Sequence, residues 1–175
     1  SIETIGSSLG ASFFRESLIA LAVAFLFMGL VVFIYFRTFI PSIAVILAAF
    51  SDMVVALAVM NLLDIKIGTA GIAAFLMLIG YSVDTDILLT VRVLKRKEGT
   101  VIDRIMGSVK TGMSMTLIAI FTVLVSLLIT QSEVIKQIML ILLFGLIPDI
   151  LNTWIQNVGL LRIYIEKKAK KGITI

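Results

Sequence analysis

Long apolar runs, each about as long as one bilayer crossing, alternate with short polar segments along the 175 residues of the chain. A helix needs roughly 20 mostly apolar residues to cross a hydrocarbon core of about 30 Å. The last run is longer than one crossing, so we expect its end to leave the membrane while still helical. The pattern predicts five membrane-spanning helices, over residues 18–36, 41–63, 67–93, 111–130 and 134–165. The expected fold is an all-α membrane protein.

The composition supports this class and narrows the chemistry. Hydrophobic residues make up 60% of the chain and charged residues 15%, with a mean hydropathy of +1.16, whereas soluble domains are about 25% charged. Because the chain has no Cys and no His, disulfides and thiol metal sites are excluded. A proton relay would have to use carboxylates, hydroxyls, Lys and water. We expect no cofactor, no metal site and no enzymatic activity.

Basic residues are concentrated on one side of the predicted bundle. The net charge of +4 is explained by the positive-inside rule, by which Lys and Arg collect in cytoplasmic loops, and so we expect no nucleic-acid partner. The rule assigns a basic loop, 92–110, and a tail, 166–175, to the cytoplasm, and the N-terminal segment 1–17 to the exterior. The basic residues left on the external side are Arg15, Lys66 and Lys136. The prediction is a multi-pass plasma-membrane protein with an external N-terminus and a cytoplasmic C-terminus.

Three carboxylates interrupt the second and third apolar runs: Asp52, Asp84 and Asp86. A carboxylate near the bilayer centre costs about 2.5–3.5 kcal/mol on insertion scales, so these residues are candidates for ion coupling. At 100° per residue, Asp84 and Asp86 project to nearly opposite sides of the third helix. Lys110, at the cytoplasmic start of the fourth helix, is the expected countercharge for a carboxylate on the third.

Polar stripes on the third and fifth helices predict surfaces that face protein or a hydrated cavity. On the fifth helix the stripe begins at Gly145, and Pro148 beside it is expected to open a kink. Hydroxyl and amide side chains in membrane helices most often link neighbouring helices by hydrogen bonds. The residues predicted for such interfaces are Ser82, Thr85, Thr90, Asp149, Asn152, Thr153 and Gln156.

Three segments resemble the SecF family of protein translocase subunits. The segment GYSVDTDILLTVRVLKRKEGT, 80–100, is similar to the family's fourth helix, where Gly-Tyr-Ser-Val precedes Asn-Asp-Thr. The Asp-Thr-Asp found here resembles the archaeal form. SSLGASFFRESLIAL, 7–21, and AAFSDMVVALAVMNLL, 48–63, are similar to the second and third helices. The resemblance maps the chain to helices two to six of an RND-type half-bundle, without the first helix and the large external domain. The absence of an initiator Met and of a signal-peptide pattern also leads us to expect a longer protein.

This resemblance implies a function and partners. It implies a SecD-like subunit, the Sec translocon channel, a translocating preprotein and membrane lipids as partners, and an ion gradient that assists protein export. The family's acidic position aligns with Thr85, which Asp84 and Asp86 flank, and which of the two would carry ion coupling stays open. Asp52 matches an acidic residue of the family's third helix, and Lys110 matches an Arg.

Two other functions fit the residues. Two buried aspartates on neighbouring helices could share a proton and activate water, as in an intramembrane aspartyl protease, although the Gly-x-Gly-Asp motif of those enzymes is absent here. Alternatively, the chain is a passive structural partner whose polar stripes only fasten a SecD-like subunit.

Overall fold

The computed structural model describes residues 7–96 and 98–170, with side chains from residue 12 onward, and this part is helical throughout apart from short connections. Its helices are α1 Ser7–Phe36, α2 Phe39–Leu62, α3 Thr69–Lys95, α4 Val101–Ile129, α5 Glu133–Leu151 and α6 Val158–Lys170. A π-helical segment, Asn152–Asn157, joins the last two into one continuous stretch. Five helical stretches are long and apolar enough to cross a membrane. The prediction of an all-α protein with five such stretches is confirmed.

The ends of the helices follow local backbone chemistry. Arg37, which follows α1, has a φ of 52°, and Asp64, which follows α2, has a φ of 54°. α-Helices very commonly end at a residue in this left-handed region. Pro41 lies in the first turn of α2, where the missing N–H has no helical partner to lose.

The predicted loop 92–110 is mostly helix. Because α3 continues to Lys95 and α4 begins at Val101, the connection is only residues 96–100. The early start of α4 comes from a capping box, in which the Thr100 side chain accepts from the backbone N–H of Asp103 and the Asp103 side chain accepts from that of Thr100. Such a box satisfies N–H groups that the helix leaves free. The predicted segments 1–17 and 166–175 lie partly outside the described residues, and their described parts are helical.

Arginine side chains from this region join α3 to α4. Arg104 donates to the backbone oxygens of Val93, at 3.0 Å, and of Arg96. Arg92 donates to the backbone oxygen of Gly107 at 2.7 Å and to Thr111 Oγ1 at 3.0 Å. Arg104 therefore binds carbonyl groups at the C-terminus of α3, where a cation is favourable.

The central helix is α5, which packs against α2, α3 and α4, whereas α1 lies at the edge against α2 and α3. The approach of α5 to α3 is close at Gly145, where an added Cβ would lie 2.3 Å from Cδ2 of Leu78. One buried apolar cluster includes Leu78 and Leu146, and a second includes Leu89 and Leu161. Between these clusters, buried polar residues of α2, α3, α5 and the π-helical segment form a polar layer.

Candidate functional site

Three aspartates from three helices lie in this polar layer. Asp52 belongs to α2, Asp86 to α3 and Asp149 to α5, and each is 0% exposed. We call these residues the carboxylate cluster. Because these side chains have no exposed surface, neighbouring protein groups must replace their lost hydration.

Asp52 has two close hydrogen-bond donors. Ser82 Oγ donates to Oδ2 of Asp52 at 2.7 Å, and Asn152 Nδ2 donates to Oδ1 at 2.7 Å. The donors come from α3 and from the π-helical segment, so Asp52 links α2 to both. Each carboxylate oxygen has one short bond, which is an arrangement suited to an ionised group.

The Thr153 hydroxyl lies between the other two carboxylates. Its Oγ1 is 2.9 Å from Oδ1 of Asp86 and 3.2 Å from Oδ1 of Asp149. A hydroxyl has one hydrogen, so Thr153 donates to one carboxylate at a time. Thr85 Oγ1 lies 3.5 Å from Oδ2 of Asp149, but it also lies 2.9 Å from the Ser82 backbone oxygen. Asp149 therefore has weaker donors than Asp52.

No basic side chain balances the cluster within the described residues. The salt bridges there are pairs of neighbouring residues on the surface of α5 and α6, and neither includes a cluster carboxylate. Asp52 and Asp149 are held by adjacent residues of the π-helical segment, since Asn152 donates to Asp52 and Thr153 contacts Asp149. The same part of the chain contains no group of three or more His, Cys, Asp or Glu that could hold a metal ion. The cluster is thus a set of like-charged groups surrounded by neutral donors.

Comparison with known proteins identifies the family. Residues 1–167 match the family described as protein export membrane protein SecD/SecF, C-terminal. The chain belongs to this SecD/SecF family. It is 46% identical over 175 residues to the protein-export membrane protein SecF of Methanocaldococcus jannaschii, a match that covers 97% of this chain and 62% of the relative. The resemblance seen in the sequence is confirmed.

Other SecF relatives also come from archaea. The chain is 45% identical over 174 residues to SecF of Methanothermobacter thermautotrophicus, covering 97% of the chain and 61% of the relative. It is 47% identical over 161 residues to SecF of Thermococcus gammatolerans, covering 92% and 51%. The chain therefore spans between half and two thirds of the length of these relatives. Together with its five apolar helical stretches, family membership identifies a multi-pass membrane protein.

The structure separates the ion-coupling candidates that we predicted for this SecD/SecF chain. Asp52 and Asp86 are buried in the carboxylate cluster, whereas Asp84 and Lys110 are exposed on the surface of the single chain. Neither of the salt bridges formed by the described residues includes Lys110. Asp149, predicted as an interface residue, is the third member of the cluster.

The predicted interface residues also divide into those that contact the carboxylate cluster and those that do not. Thr90 is buried on α3 without joining the cluster, and Gln156 is half-buried. The other members, Ser82, Thr85, Asn152 and Thr153, contact cluster carboxylates as described above.

Sequence reasoning missed Asn157, which is 2% exposed and donates through Nδ2 to Oδ1 of Asp86. Uniform α-helical rotation from Asp149 places Gln156 in the polar stripe and Asn157 about 80° away. The π-helical segment Asn152–Asn157 turns by only about 80° per residue, so Asn157 comes into line with Asp149 and Gln156 turns aside. The spacing of four between Asp149, Thr153 and Asn157 was the available signal.

Proposed function

We propose that this chain is the membrane part of a SecF-type subunit that assists protein translocation together with a SecD-like partner, and that the carboxylate cluster takes up and releases protons. The observation that carries the proposal is the meeting of Asp52, Asp86 and Asp149 at 0% exposure without a basic partner in the described residues. Ionisable groups buried in membrane helices most often serve ion pathways or proton relays.

The electrostatics of the cluster support proton binding. The two contacts of Thr153, at 2.9 and 3.2 Å, bring oxygens of Asp86 and Asp149 to within about 6 Å of each other. Two unit charges at about 6 Å repel each other by about 3 kcal/mol at an effective dielectric constant of about 20. Without a cation, the cluster is most stable when it retains at least one proton. Protons bound here would therefore change the packing preference of α2, α3 and α5.

The proposed orientation follows the basic residues. The segments 92–110 and 162–171 carry 11 of the 15 basic residues of the sequence, which favours the cytoplasm for both. The N-terminus would then be external. In this orientation the chain corresponds to helices two to six of an RND-type half-bundle. An external domain and a first helix in the rest of the protein would transmit helix movement to a preprotein leaving the Sec channel.

The geometry favours Asp86 over Asp84 as the ion-coupling residue of α3. Asp86 contacts Thr153 and Asn157 inside the bundle, whereas Asp84 is exposed on the surface of the chain. Because the two residues have the same side chain and lie on the same helix, Asp84→Asn is a matched control for Asp86→Asn.

Proton flux tests the proposal in liposomes that contain the full-length subunit with its SecD-like partner. We expect Asp52→Asn, Asp86→Asn or Asp149→Asn to reduce flux about tenfold or more, and Asp84→Asn to leave it close to the wild-type rate. Flux that is absent in the wild type, or unchanged in all three cluster variants, would favour a passive structural partner. Peptide cleavage that Asp52→Asn abolishes would favour an intramembrane protease.

A further inference from the structure

Two buried oxygen atoms at the carboxylate cluster have no hydrogen-bond partner among the described residues: Oδ2 of Asp86 and Oδ1 of Asn157. Their two residues are already joined, because Asn157 Nδ2 donates to Oδ1 of Asp86. The unpartnered atoms are thus the second oxygen of the carboxyl group and the single oxygen of the amide, in a pair that is already joined by one hydrogen bond. Asp86 is 0% exposed and Asn157 is 2% exposed, so bulk water does not satisfy either atom.

Hydrogen-bond chemistry gives one simple way to satisfy both atoms. An ionised carboxylate accepts only, and an amide oxygen accepts only, so the two atoms cannot bond as they stand. A buried polar group without a partner costs about 1–3 kcal/mol, and more if it is charged. A proton on Oδ2 would turn Asp86 into a donor toward Oδ1 of Asn157. A carboxylic acid and a primary amide would then be joined by two hydrogen bonds, N–H to oxygen and O–H to oxygen.

We propose that Asp86 carries the proton of the cluster on Oδ2 and donates it to Oδ1 of Asn157, which makes Asn157 the positioning residue for that proton. This inference deepens the proposed function and rests on it for its meaning in transport. The proton balance is simple. Release of the proton from Oδ2 to water that reaches the cluster leaves an ionised Asp86 with one hydrogen bond from Asn157, and leaves both Oδ2 of Asp86 and Oδ1 of Asn157 as acceptors without a donor.

The titratable groups around Asp86 favour this assignment. Asp52, from α2, has a short donor on each oxygen and is therefore the best solvated as an anion. Asp149, from α5, has a hydroxyl contact on each oxygen, Thr153 on Oδ1 and Thr85 on Oδ2, so neither of its oxygens is left without a partner. Asp86 is the carboxylate with a neutral acceptor beside an unused oxygen.

Infrared difference spectroscopy of the full two-subunit complex in membranes tests the inference, because a protonated carboxyl group has a C=O stretching band that an ionised one lacks. We expect Asp86→Asn to remove one such band that the wild type shows. Asn157→Leu keeps a similar volume but removes both hydrogen bonds, so the Asp86 band should move to higher wavenumber. Gln156→Leu, at the adjacent half-buried position, should leave the band where it is.

The outcomes separate this inference from the proposed function. Acid bands that are unchanged in Asp86→Asn, or a band that Asn157→Leu does not move, would overturn the acid–amide pair. If Asp86→Asn fails to assemble, the comparison of Asn157→Leu with Gln156→Leu still decides, since both retain Asp86. A band assigned to Asp86 in a complex without proton flux would support the pair and remove its transport role. Normal proton flux with the proton located on Asp149 would support the proposed function and overturn the acid–amide pair.

Discussion

Replacing Ser82 with alanine removes one of the two donors to Asp52. The resulting loss of unfolding free energy tests whether that carboxylate is ionised. Ser82 Oγ lies 2.7 Å from Oδ2 of Asp52, and both residues are 0% exposed. The substitution deletes a single oxygen atom and leaves the helical backbone of α3 unchanged. Water cannot replace the lost donor unless the bundle opens.

The expected magnitude depends on whether Asp52 is ionised. Neutral hydrogen bonds between membrane helices contribute about 0.6 kcal/mol on average, whereas hydrogen bonds to charged groups contribute about 1.5–3 kcal/mol. Because Asp52 has a short donor on each oxygen, we expect an anion and a loss of about 1.5–3 kcal/mol. Asn152 donates to the same carboxylate. The loss of unfolding free energy in the double variant Ser82→Ala/Asn152→Leu should therefore differ from the sum of the losses in the two single variants.

The assay is the free energy of unfolding of the full-length subunit in mixed micelles, measured by detergent titration. Ser114→Ala is the matched control, because Ser114 Oγ bonds only to its own helix, at 2.8 Å from the Lys110 backbone oxygen, on an exposed face. Surface substitutions of this kind usually change stability by less than about 0.5 kcal/mol. If Ser82→Ala costs no more than Ser114→Ala, Asp52 is not the ionised, protein-solvated group that we describe.

Two further predictions concern the bundle around the site. Gly145→Val should lower the unfolding free energy about 1–3 kcal/mol more than Gly80→Val. A Cβ at Gly145 would lie 2.3 Å from the buried side chain of Leu78, whereas one at Gly80 would meet no neighbouring atom of the described residues within 4 Å. Equal losses in the same micelle titration would contradict the close α3–α5 approach. Thr100→Ala should weaken the start of α4 by about 1 kcal/mol, seen as faster amide hydrogen exchange over residues 101–104, and unchanged exchange there would contradict the capping box with Asp103.

The sequence predicted the helices because the length of an apolar run is a direct physical requirement of the bilayer. Rotation along α3 also placed Asp84 and Asp86 on opposite sides, as they are found, since that helix is regular. The start of α4 was missed because Thr100 and Asp103 lie in a charged stretch that has the composition of a loop. The irregular turn before α6 displaced Asn157, and no uniform periodicity accounts for such a turn.

The meeting of Asp52, Asp86 and Asp149 was beyond sequence reasoning for a different reason. Each of them lies on a helix that the apolar pattern predicts, but the pattern does not specify which helices become neighbours. That choice depends on close contacts such as Gly145 against Leu78 and on the central position of α5. Pairwise packing of helices is therefore the step at which isolated polar residues become a site.

The like charges of the cluster also set the size of the movement that one proton can drive. Release of the proton from Asp86 leaves two ionised carboxylates within about 6 Å of each other and adds about 3 kcal/mol of repulsion, which corresponds to about a hundredfold change in an equilibrium between two helix arrangements. A bundle that is mostly closed with the proton bound would then populate an open arrangement substantially after release.

Since Thr153 links Asp86 to Asp149, the repulsion acts between α3 and α5. On this reasoning the separation of α3 from α5 should be the first movement when the proton leaves. Spin labels at the N-terminal ends of these two helices, in the full complex, should report a longer distance at high pH than at low pH. An unchanged distance, with Asp86 shown to titrate over that range, would mean that the cluster stores the proton without moving the helices.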